Sequence, residues 1–576
     1  LGCFAQMPLK KYELRYTAPA SNSNEGWEDL SLPLGNGYFG VNVFGGVATE
    51  RLQLSEKSMY MRDTTQTNSS YKTIALTNFG ETFIDFPHSL ASVSNYQRKL
   101  DIRNAIATVS YTIDGVHYKR EVFTSYPDKV MVVKLSASES GKVSFTLSPK
   151  HAFLGQARRG TVTAENDRIT LSGVLYPYRL DFEAQYRVKN TGGTMTFNND
   201  STGKNGTITV QNADMAIIVL ALGTRYKLSN TAIIGGNKDS TKLAHKLDGV
   251  RHPHKEITRR LNKAFKSRYE VLLKNHTDDY SKLFSRVEID LGEKPTDKTT
   301  DKLLDDYKTG NESKYLEELY FQYGRYLLIA MSRKGALPAN LQGTWNALRA
   351  APWTGAYWFN INLQMNYWPA FNTNLAETFT PFLDYLEVLI PSQKTVASDF
   401  IKKYNSENYS PEKTSNGWTA GTGNSPYRAA EPGATSGFGT GPFVCQNIWD
   451  YYDFTRDKAV LKRIWPTIKG SSDFTSRIVK KVPDFGNLLL CSPSWSPENQ
   501  YRSGPNTKKY IDIPGTAYDQ QWIYQGHLNT ISAAKILGGK ENIIEPLEKQ
   551  LPLLDPVQIG SSGQIKEFRT ENEYSE

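Results

Sequence analysis

Residues 107–125, ATVSYTID-G-VHYKREVFTS, place apolar and polar side chains at alternate positions on both sides of Asp114-Gly115. A period of two, rich in Val, Ile, Thr and Tyr, is typical of a strand with one buried face. Asp-Gly between two such stretches is a favoured hairpin turn. The sequence therefore predicts a β-hairpin here.

The hairpin is one of many short strand-like segments in the first half of the chain. The others are residues 129–136, 142–147, 168–171, 180–188, 194–197, 206–210 and 215–222. Turn residues separate them. This pattern predicts an N-terminal β-sandwich domain over residues 1–243 rather than a parallel α/β sheet.

From about Ala244 the pattern changes to a helical period. Residues 252–275 are charged and predict a helix in a linker over residues 244–310, in which residues 295–309 form a loop or a frayed helix. Further helices are predicted at residues 315–331, 382–403, 441–454, 459–480, 517–537 and 543–554. Long loops join them, notably residues 338–354 and 404–439. Residues 311–576 are therefore predicted to form an (α/α) barrel whose loops build a site at one end.

Composition limits the classes of function. The chain has 576 residues, a net charge of +9 and 12% aromatic residues. The basic residues are spread out and no nucleic-acid module is present, so we expect weak attraction to acidic surfaces or polyanionic glycans rather than DNA binding. No stretch reaches about 18 consecutive apolar residues, so no transmembrane segment is predicted. Cys445 and Cys491 are predicted to be buried free thiols, with a disulfide between them as the alternative.

The first residues, Leu1-Gly2-Cys3-Phe4-Ala5-Gln6, resemble the end of a bacterial export signal. We therefore expect an exported protein, either periplasmic or an outer-membrane lipoprotein of a Gram-negative bacterium. The alternative is that these residues carry no targeting information.

Two segments combine amides with aromatic rings, as a sugar-binding cleft requires. They are residues 337–346, LPANLQGTWN, and residues 357–369, YWFNINLQMNYWP. The alternative is that the amides satisfy loop backbone groups. The candidate substrate-binding residues here are Trp358, Gln342, Trp345, Asn366 and Trp368.

A third segment supplies a carboxylic acid. Residues 491–499, CSPSWSPEN, place Glu498 after two prolines and Trp495, which is a further candidate for substrate binding. A glutamate in a stiff, aromatic-lined loop would lose solvation, which suits a general acid. The alternative is an ordinary exposed loop carboxylate.

Three ordered blocks resemble glycoside hydrolase family 95. The first is residues 32–40, LPLGNGYFG, with residues 43–46 and 50–56. The second is residues 337–343 with Asn360-Ile361-Asn362 and residues 365–369, and the third is residues 492–499. The resemblance runs from about Trp27 to the end of the chain.

The resemblance implies an inverting, exo-acting α-L-fucosidase or α-L-galactosidase that acts on an oligosaccharide or polysaccharide. It also implies a β-sandwich, a helical linker, an (α/α)6 barrel and a C-terminal β domain. Glu498 matches the general acid of the family, and Asn360 and Asn362 match the residues that hold the attacking water. Neither a metal nor a cofactor is implied. An inverting pair should leave about 6.5–9.5 Å between acid and base for that water, in a pocket lined by Trp and Tyr.

The chain departs from the family pattern at two places. Trp358 stands where the fucosidases tend to carry His, which favours L-galactose or another relative of L-fucose as an alternative sugar. An aspartate that assists the two asparagines, and a His-rich motif before it, do not occur in these 576 residues. We expect that the C-terminal part of the barrel is missing from this chain.

Two other functions stay open at this point. The first is a non-catalytic glycan-binding protein, which the absent aspartate and Trp358 favour and the three candidate catalytic residues oppose. The second is a glycoside phosphorylase, which would need a phosphate site near the asparagine pair. The sequence shows no convincing site of that kind.

Overall fold

The computed structural model describes residues 10–62, 74–234, 240–433, 435–499, 501–502, 508–509, 513–539 and 542–569. The chain forms two compact units. The first consists of Leu1–Lys227, Leu243–Gly355 and Thr373–Thr378, and the second of Leu228–Lys242, Ala356–Asn372 and Phe379–Glu576. These units divide the chain at other points than the predicted boundaries at 243 and 310. The predicted export signal, including Cys3, lies outside the described residues.

The first unit contains the large sheets. Its strands are β1 (Glu13–Tyr16), β2 (Leu32–Gly35), β3 (Phe39–Val43), β4 (Thr49–Glu56), β5 (Tyr60–Arg62), β6 (Ile74–Leu76), β7 (Gly80–Asp85), β8 (Ser94–Asp101), β9 (Ile106–Ile113), β10 (Val116–Ser125), β11 (Val130–Ala137), β12 (Val143–Lys150), β13 (Arg158–Glu165), β14 (Arg168–Leu175), β15 (Leu180–Thr191), β16 (Thr194–Asn198), β17 (Thr207–Ala213) and β18 (Met215–Thr224). Every segment predicted as a strand is a strand. Strands β1 to β8 and β13 were not predicted.

Across the described residues, the strands form two large antiparallel sheets and one small hairpin of β5 and β6. The orders are β1-β8-β9-β10-β11-β18-β15-β14-β13 and β16-β17-β12-β7-β4-β3-β2. The predicted hairpin is β9–β10, in which Val116 pairs with Ile113. Asp114 and Gly115 both have positive φ, at 49° and 79°, as a type I′ turn requires.

The two sheets contact each other through buried side chains. Thr82 on β7 and Tyr186 on β15 share a hydrogen bond of 2.7 Å. The ring of Phe79 lies edge-on to that of Phe182, with centroids 5.3 Å apart. The arrangement is sandwich-like, as the sequence predicts.

The helices are α1 (Asn230–Ile233), α2 (Ser240–Leu243), α3 (His254–Lys266), α4 (Tyr269–Phe284), α5 (Thr300–Lys308), α6 (Lys314–Met331), α7 (Asn362–Tyr367), α8 (Pro369–Asn372), α9 (Thr380–Tyr404), α10 (Thr440–Thr455), α11 (Lys458–Ile478), α12 (Ala517–Ile536) and α13 (Ile544–Gln550). The predicted helix over residues 252–275 is in fact two helices. Ser267 and Arg268 between them have extended backbone, with ψ of 151° and 153°, which ends α3 and starts α4 anew.

Helix α3 packs on the longer sheet. Its apolar positions Ile257, Leu261 and Ala264 recur at helical spacing and join a buried cluster with Ile217 and Val219 of β18. Strand β18 is therefore buried on both faces, which explains its nearly continuous apolar sequence.

The block at residues 32–40 is the β2–β3 hairpin, and its glycines allow a close approach to α6. The Gly37 N–H donates to the carbonyl of Ala330 at 2.7 Å, and Gly37 has φ of +81°. A Cβ at Gly35 would lie 2.6 Å from the same carbonyl oxygen. The family-like glycines thus fix the packing of this hairpin on its helix.

The second unit is mainly helical, and α9, α10, α11 and α12 supply its long helices. A buried cluster joins α9, α11 and α12 with the segment that precedes Glu498; its members include Ile401, Phe438, Phe474, Cys491 and Ile523. The described part of this unit has only two-stranded antiparallel pairs besides helices, which fits the predicted change from period two to period 3.6.

Cys445 and Cys491 are buried and free, as predicted. Burial raises the pKa of the Cys445 thiol to about 12. Among the described residues, no helix has both the length and the apolar character needed to cross a membrane.

Candidate active site

Asn360 and Glu498 meet in the second unit although 138 positions separate them in the sequence. The Nδ2 of Asn360 donates to Oε1 of Glu498 at 3.1 Å. Asn360 lies two residues before the first residue of the short helix α7, and Glu498 lies in the loop between α11 and α12. The structure thus brings two of the three predicted catalytic residues into direct contact.

Thr422 fixes the orientation of the Asn360 amide. Its hydroxyl donates to Oδ1 of Asn360 at 3.3 Å and accepts from the Asn360 backbone N–H at 3.4 Å. With Oδ1 facing a hydroxyl donor, Nδ2 is left to face the carboxylate of Glu498. An antiparallel bridge between Tyr357 and Asn424 holds the two segments side by side.

Helix α7 presents a polar and aromatic face next to Asn360. Asn362 begins this helix and is exposed, and Trp368 directly after its end is 46% exposed. Asn366 lies one turn after Asn362 and is half-buried, whereas Leu363, Gln364 and Tyr367 are buried. Because residues four apart share one side of a helix, Asn362 and Asn366 lie on the same side of α7.

A buried carboxylate anchors the loop that carries Glu498. Asp519 has no solvent exposure and accepts from the Ser494 hydroxyl at 2.7 Å and from the Trp495 N–H at 3.4 Å. It also accepts from the Gly439 N–H at 2.6 Å, at the start of α10. Thr516 caps α12 and shares a hydrogen bond of 2.7 Å with Ser494. The loop is therefore tied to the N-terminal ends of two helices.

Burial raises the pKa of Asp519 to about 6, and the hydrogen bonds from Gly439 and Ser494 oppose this rise. A Cβ at Gly437 would lie 2.0 Å from Oδ1 of Asp519. The absence of a side chain at Gly437 is what allows the carboxylate to approach this segment so closely.

A second carboxylate, Glu567, holds the turn on both sides of Glu498. It accepts from the Ser496 hydroxyl and from Nδ2 of Asn499, the latter at 2.6 Å. Within the turn, the Asn499 N–H donates to the Ser496 carbonyl at 2.9 Å. The backbone carbonyl of Glu567 accepts from the Ala517 N–H at 2.9 Å, so the turn is linked again to the start of α12.

Comparison with known proteins identifies the family. Residues 268–576, more than half of the chain, match the model of the glycosyl hydrolase family 95 catalytic domain. The chain belongs to glycoside hydrolase family 95. It is therefore a glycosidase. Residues 14–78 and 60–229 match the model of the glycosyl hydrolase family 65 N-terminal domain.

Individual relatives of this family 95 chain are distant. It is 28% identical to α-L-fucosidase 2 of Arabidopsis thaliana, over 97% of the chain and 69% of that protein. It is also 28% identical to a protein of Aspergillus niger named probable α-fucosidase A, over 83% of the chain and 58% of that protein. The chain thus spans 69% of the length of the first relative and 58% of that of the second.

The likeness to solved structures concerns the fold alone. A protein from the human microbiome, assigned as a kojibiose phosphorylase, aligns with a TM-score of 0.60 at 11% identity. The alignment covers 97% of this chain and 72% of that one.

Two expectations about the family 95 acid differ from the structure. Glu498 is exposed and not desolvated, because its turn lies at the surface and only the preceding residues enter the core. The separation of 6.5–9.5 Å is wrong for Asn360, whose amide contacts Glu498 at 3.1 Å. Both side chains are partly accessible, and the Glu498 carboxylate accepts a hydrogen bond from the nearby Asn360 amide. A sugar and a water between them require rotation of at least one side chain.

The candidate substrate-binding residues fall into both units. Trp358 and Trp495 in the second unit are half-buried, and the Trp495 ring lies edge-on to Phe438 with centroids 5.5 Å apart. Gln342 and Trp345 are in the first unit. Trp345 is only 9% exposed and its indole N–H donates to the Leu34 carbonyl at 2.8 Å, so its ring packs in that unit's core. No observation here tests their roles in substrate binding, which stay predictions.

In the described part of the chain, no group of three or more His, Cys, Asp or Glu residues is placed to hold a metal ion.

Proposed function

We propose that this chain is an exo-acting, inverting glycoside hydrolase that releases terminal α-L-fucose, or its close relative α-L-galactose, from a glycan or polysaccharide. The observation that carries the proposal is the contact between Glu498 and Asn360, which brings a carboxylic acid and an oriented amide to one place. The choice of L-fucose as the released sugar rests on the relatives, which are named α-fucosidases.

In this proposal Glu498 is the general acid. Its exposed carboxyl group, when protonated, donates its proton to the glycosidic oxygen as the bond to the anomeric carbon breaks. Ser494, Ser496 and Asn499 hold the loop on both sides, so the acid is presented by a fixed turn. A fixed turn reduces the motion that has to be frozen in the transition state.

Asn360 and Asn362 bind the attacking water on the opposite face of the sugar. An amide oxygen accepts a hydrogen bond from water and aligns its lone pair, but it is too weak a base to take the proton. We therefore propose that a carboxylate assists the pair by accepting the proton of the water. We also propose that the helices of the second unit belong to an (α/α)6 barrel and that the protein is exported.

Trp358 is proposed to shape the sugar pocket together with Trp368 and Asn366. Trp358 is bulkier than the histidine of the fucosidases and has a single donor, so it alters the contacts around the sugar. This favours relaxed selectivity between L-fucose and L-galactose, which differ at carbon six.

The test is hydrolysis of nitrophenyl α-L-fucoside, α-L-galactoside and the corresponding D-sugars by the full-length protein. We expect turnover of one or both α-L-glycosides and none of the D-sugars. Trp358→His should raise the preference for fucoside over galactoside. If both α-L-glycosides bind without being hydrolysed, the chain is a glycan-binding protein and the proposal fails.

A further inference from the structure

Helix α3 carries a row of cations on the side opposite its buried face. Lys255, Arg259, Lys263 and Lys266 follow one another at spacings of four, four and three, and all four are exposed. Residues at such spacings lie on one side of a helix. At about 1.5 Å per residue, the row is about 16 Å long. We call these four residues the basic row.

Few carboxylates neutralise the basic row. Glu256 is the only acidic residue in α3, and it binds Arg259 at 2.7 Å and Arg260 at 3.0 Å. Within the described parts of the chain, no carboxylate forms an ion pair with Lys255, Lys263 or Lys266. Three exposed ammonium groups are therefore available to an external anion.

A groove of about 100 Å³ lies beside the row, between α3 and the turn after β10. Lys129, Arg259, Arg260 and Lys263 line it, together with the acids Asp128 and Glu256. Asp128 is already engaged by the Ser125 hydroxyl at 2.8 Å. The groove has room for several water-sized groups, and its cations outnumber its acids by four to two.

The packing of α3 limits the kinds of partner that the basic row can bind. A membrane-binding amphipathic helix needs a free apolar face, but Ile257, Leu261 and Ala264 are packed against β18. Non-specific binding of single-stranded nucleic acid uses exposed aromatic platforms, and the row itself consists of aliphatic cations. A linear anionic glycan needs only a rigid series of positive charges.

We propose that the basic row and its groove bind the sulfate or carboxylate groups of an acidic polysaccharide, outside the candidate active site. This inference rests on the proposed function, because the polysaccharide is taken to be the polymer from which the enzyme releases its sugar. The sheet beneath α3 holds the helix rigid. Binding therefore costs little conformational freedom beyond that of the side chains in the row.

The experiment compares three polymers of one backbone: dextran, carboxymethyl-dextran and dextran sulfate. None carries the proposed substrate sugar. Binding of the full-length protein is measured by affinity electrophoresis at low ionic strength and at about 0.15 M salt. The variant Lys255→Gln/Lys263→Gln/Lys266→Gln removes the three unpaired charges. Its control, Lys298→Gln/Lys302→Gln/Lys308→Gln, removes three charges at exposed positions at and near α5.

We expect binding to one or both charged dextrans and none to dextran, and the better of the two identifies sulfate or carboxylate as the preferred group. The row variant should bind at least about fivefold more weakly, and the control should bind like the wild-type protein. Equal loss in both variants would show a general charge effect and overturn the proposal. Tighter binding to DNA or to phosphatidylserine vesicles than to either charged dextran would also overturn it.

Hydrolysis of nitrophenyl α-L-fucoside separates this inference from the proposed function. The row variant should keep the wild-type kcat/KM on this small substrate, since the row is outside the candidate active site. If the wild-type protein binds charged dextrans through the row but hydrolyses no α-L-glycoside, the proposed function fails and only the anion site remains.

Discussion

At the scale of single residues, Thr422 is the contact that orients the Asn360 amide, and this can be tested. Thr422→Val keeps the shape of the side chain and removes the hydroxyl that donates to Oδ1 of Asn360. A lost hydrogen bond of about 1 kcal/mol should lower kcat about fivefold on nitrophenyl α-L-fucoside. The matched control is Thr419→Val in the same loop, since the buried Thr419 hydroxyl has no hydrogen-bond partner in the described structure. Equal kcat values for the two variants would contradict the orienting role.

Glu498 is tested at the same scale by its dependence on the leaving group. General acid catalysis contributes about 10²–10⁴-fold, so Glu498→Gln should lose that much in kcat on an alkyl α-L-fucoside. The loss should shrink on the nitrophenyl glycoside, because an acidic leaving group departs with little help. Asn362→Ala should slow both substrates alike, since water attack is needed for each. Equal losses by Glu498→Gln on the two substrates would speak against proton donation.

The sequence predicts some of these residues and not others. Glu498 and Asn360 were found through a family resemblance, and the structure brings them together, closer than the predicted 6.5–9.5 Å. Thr422, Asp519 and Glu567 were missed because their partners lie 25 to 71 positions away, and a single sequence carries no signal of such pairings. The predicted helix over residues 517–537 placed the start of α12 correctly, but the local sequence does not show that Thr516 and Asp519 bind the loop that carries Glu498.

At the scale of elements, the loop that carries Glu498 is held by the buried carboxyl group of Asp519, whose protonation changes with pH. The pKa of Asp519 is raised to about 6 in the folded protein, compared with about 3.9 for an unfolded aspartate. Between these values the folded state binds more protons than the unfolded state. The contribution of Asp519 to stability is thus complete below about pH 4 and is lost as the pH rises through about 6.

Asp519→Asn removes this titration. We compare the free energy of unfolding of the wild-type protein with that of the variant. The difference, wild type minus variant, should fall by about 2–3 kcal/mol from pH 4 to pH 6 and stay level above pH 7. Urea unfolding of both proteins at four pH values measures it. Asp484→Asn, at an exposed position of the same unit, is the matched control. A difference that is constant or rises over this range would contradict a buried, proton-binding Asp519.

Element prediction succeeded where the pattern is local. The β9–β10 hairpin follows from alternation and Asp114-Gly115, and the helix predicted over residues 382–403 is α9. Strands β2 and β3 were missed because LPLG and FGVNV hold Gly and Pro, and their burial comes from the packing of Gly35 and Gly37 on α6. The division of residues 252–275 into α3 and α4 was missed because apolar positions continue at helical spacing past Ser267.

At the scale of the whole molecule, a sandwich-like unit carries the basic row, and a helical unit carries an acid and an oriented amide. The first unit is proposed to hold an acidic polymer, and the second to cleave its terminal α-L-linked sugar. The proposed cleavage mechanism determines the stereochemistry of the released sugar. In the proposed mechanism Glu498 acts on one face of the sugar and the asparagine-bound water on the other, so that attack would invert the anomeric carbon.

The most direct measurement is therefore the anomer that the full-length protein releases first from nitrophenyl α-L-fucoside, followed by proton NMR during the first turnovers. We expect β-L-fucose to appear first and the α anomer to accumulate only at the rate of spontaneous mutarotation. α-L-Fucose as the first product would contradict the account, because it would require a covalent intermediate and a nucleophilic carboxylate where the structure places Asn360.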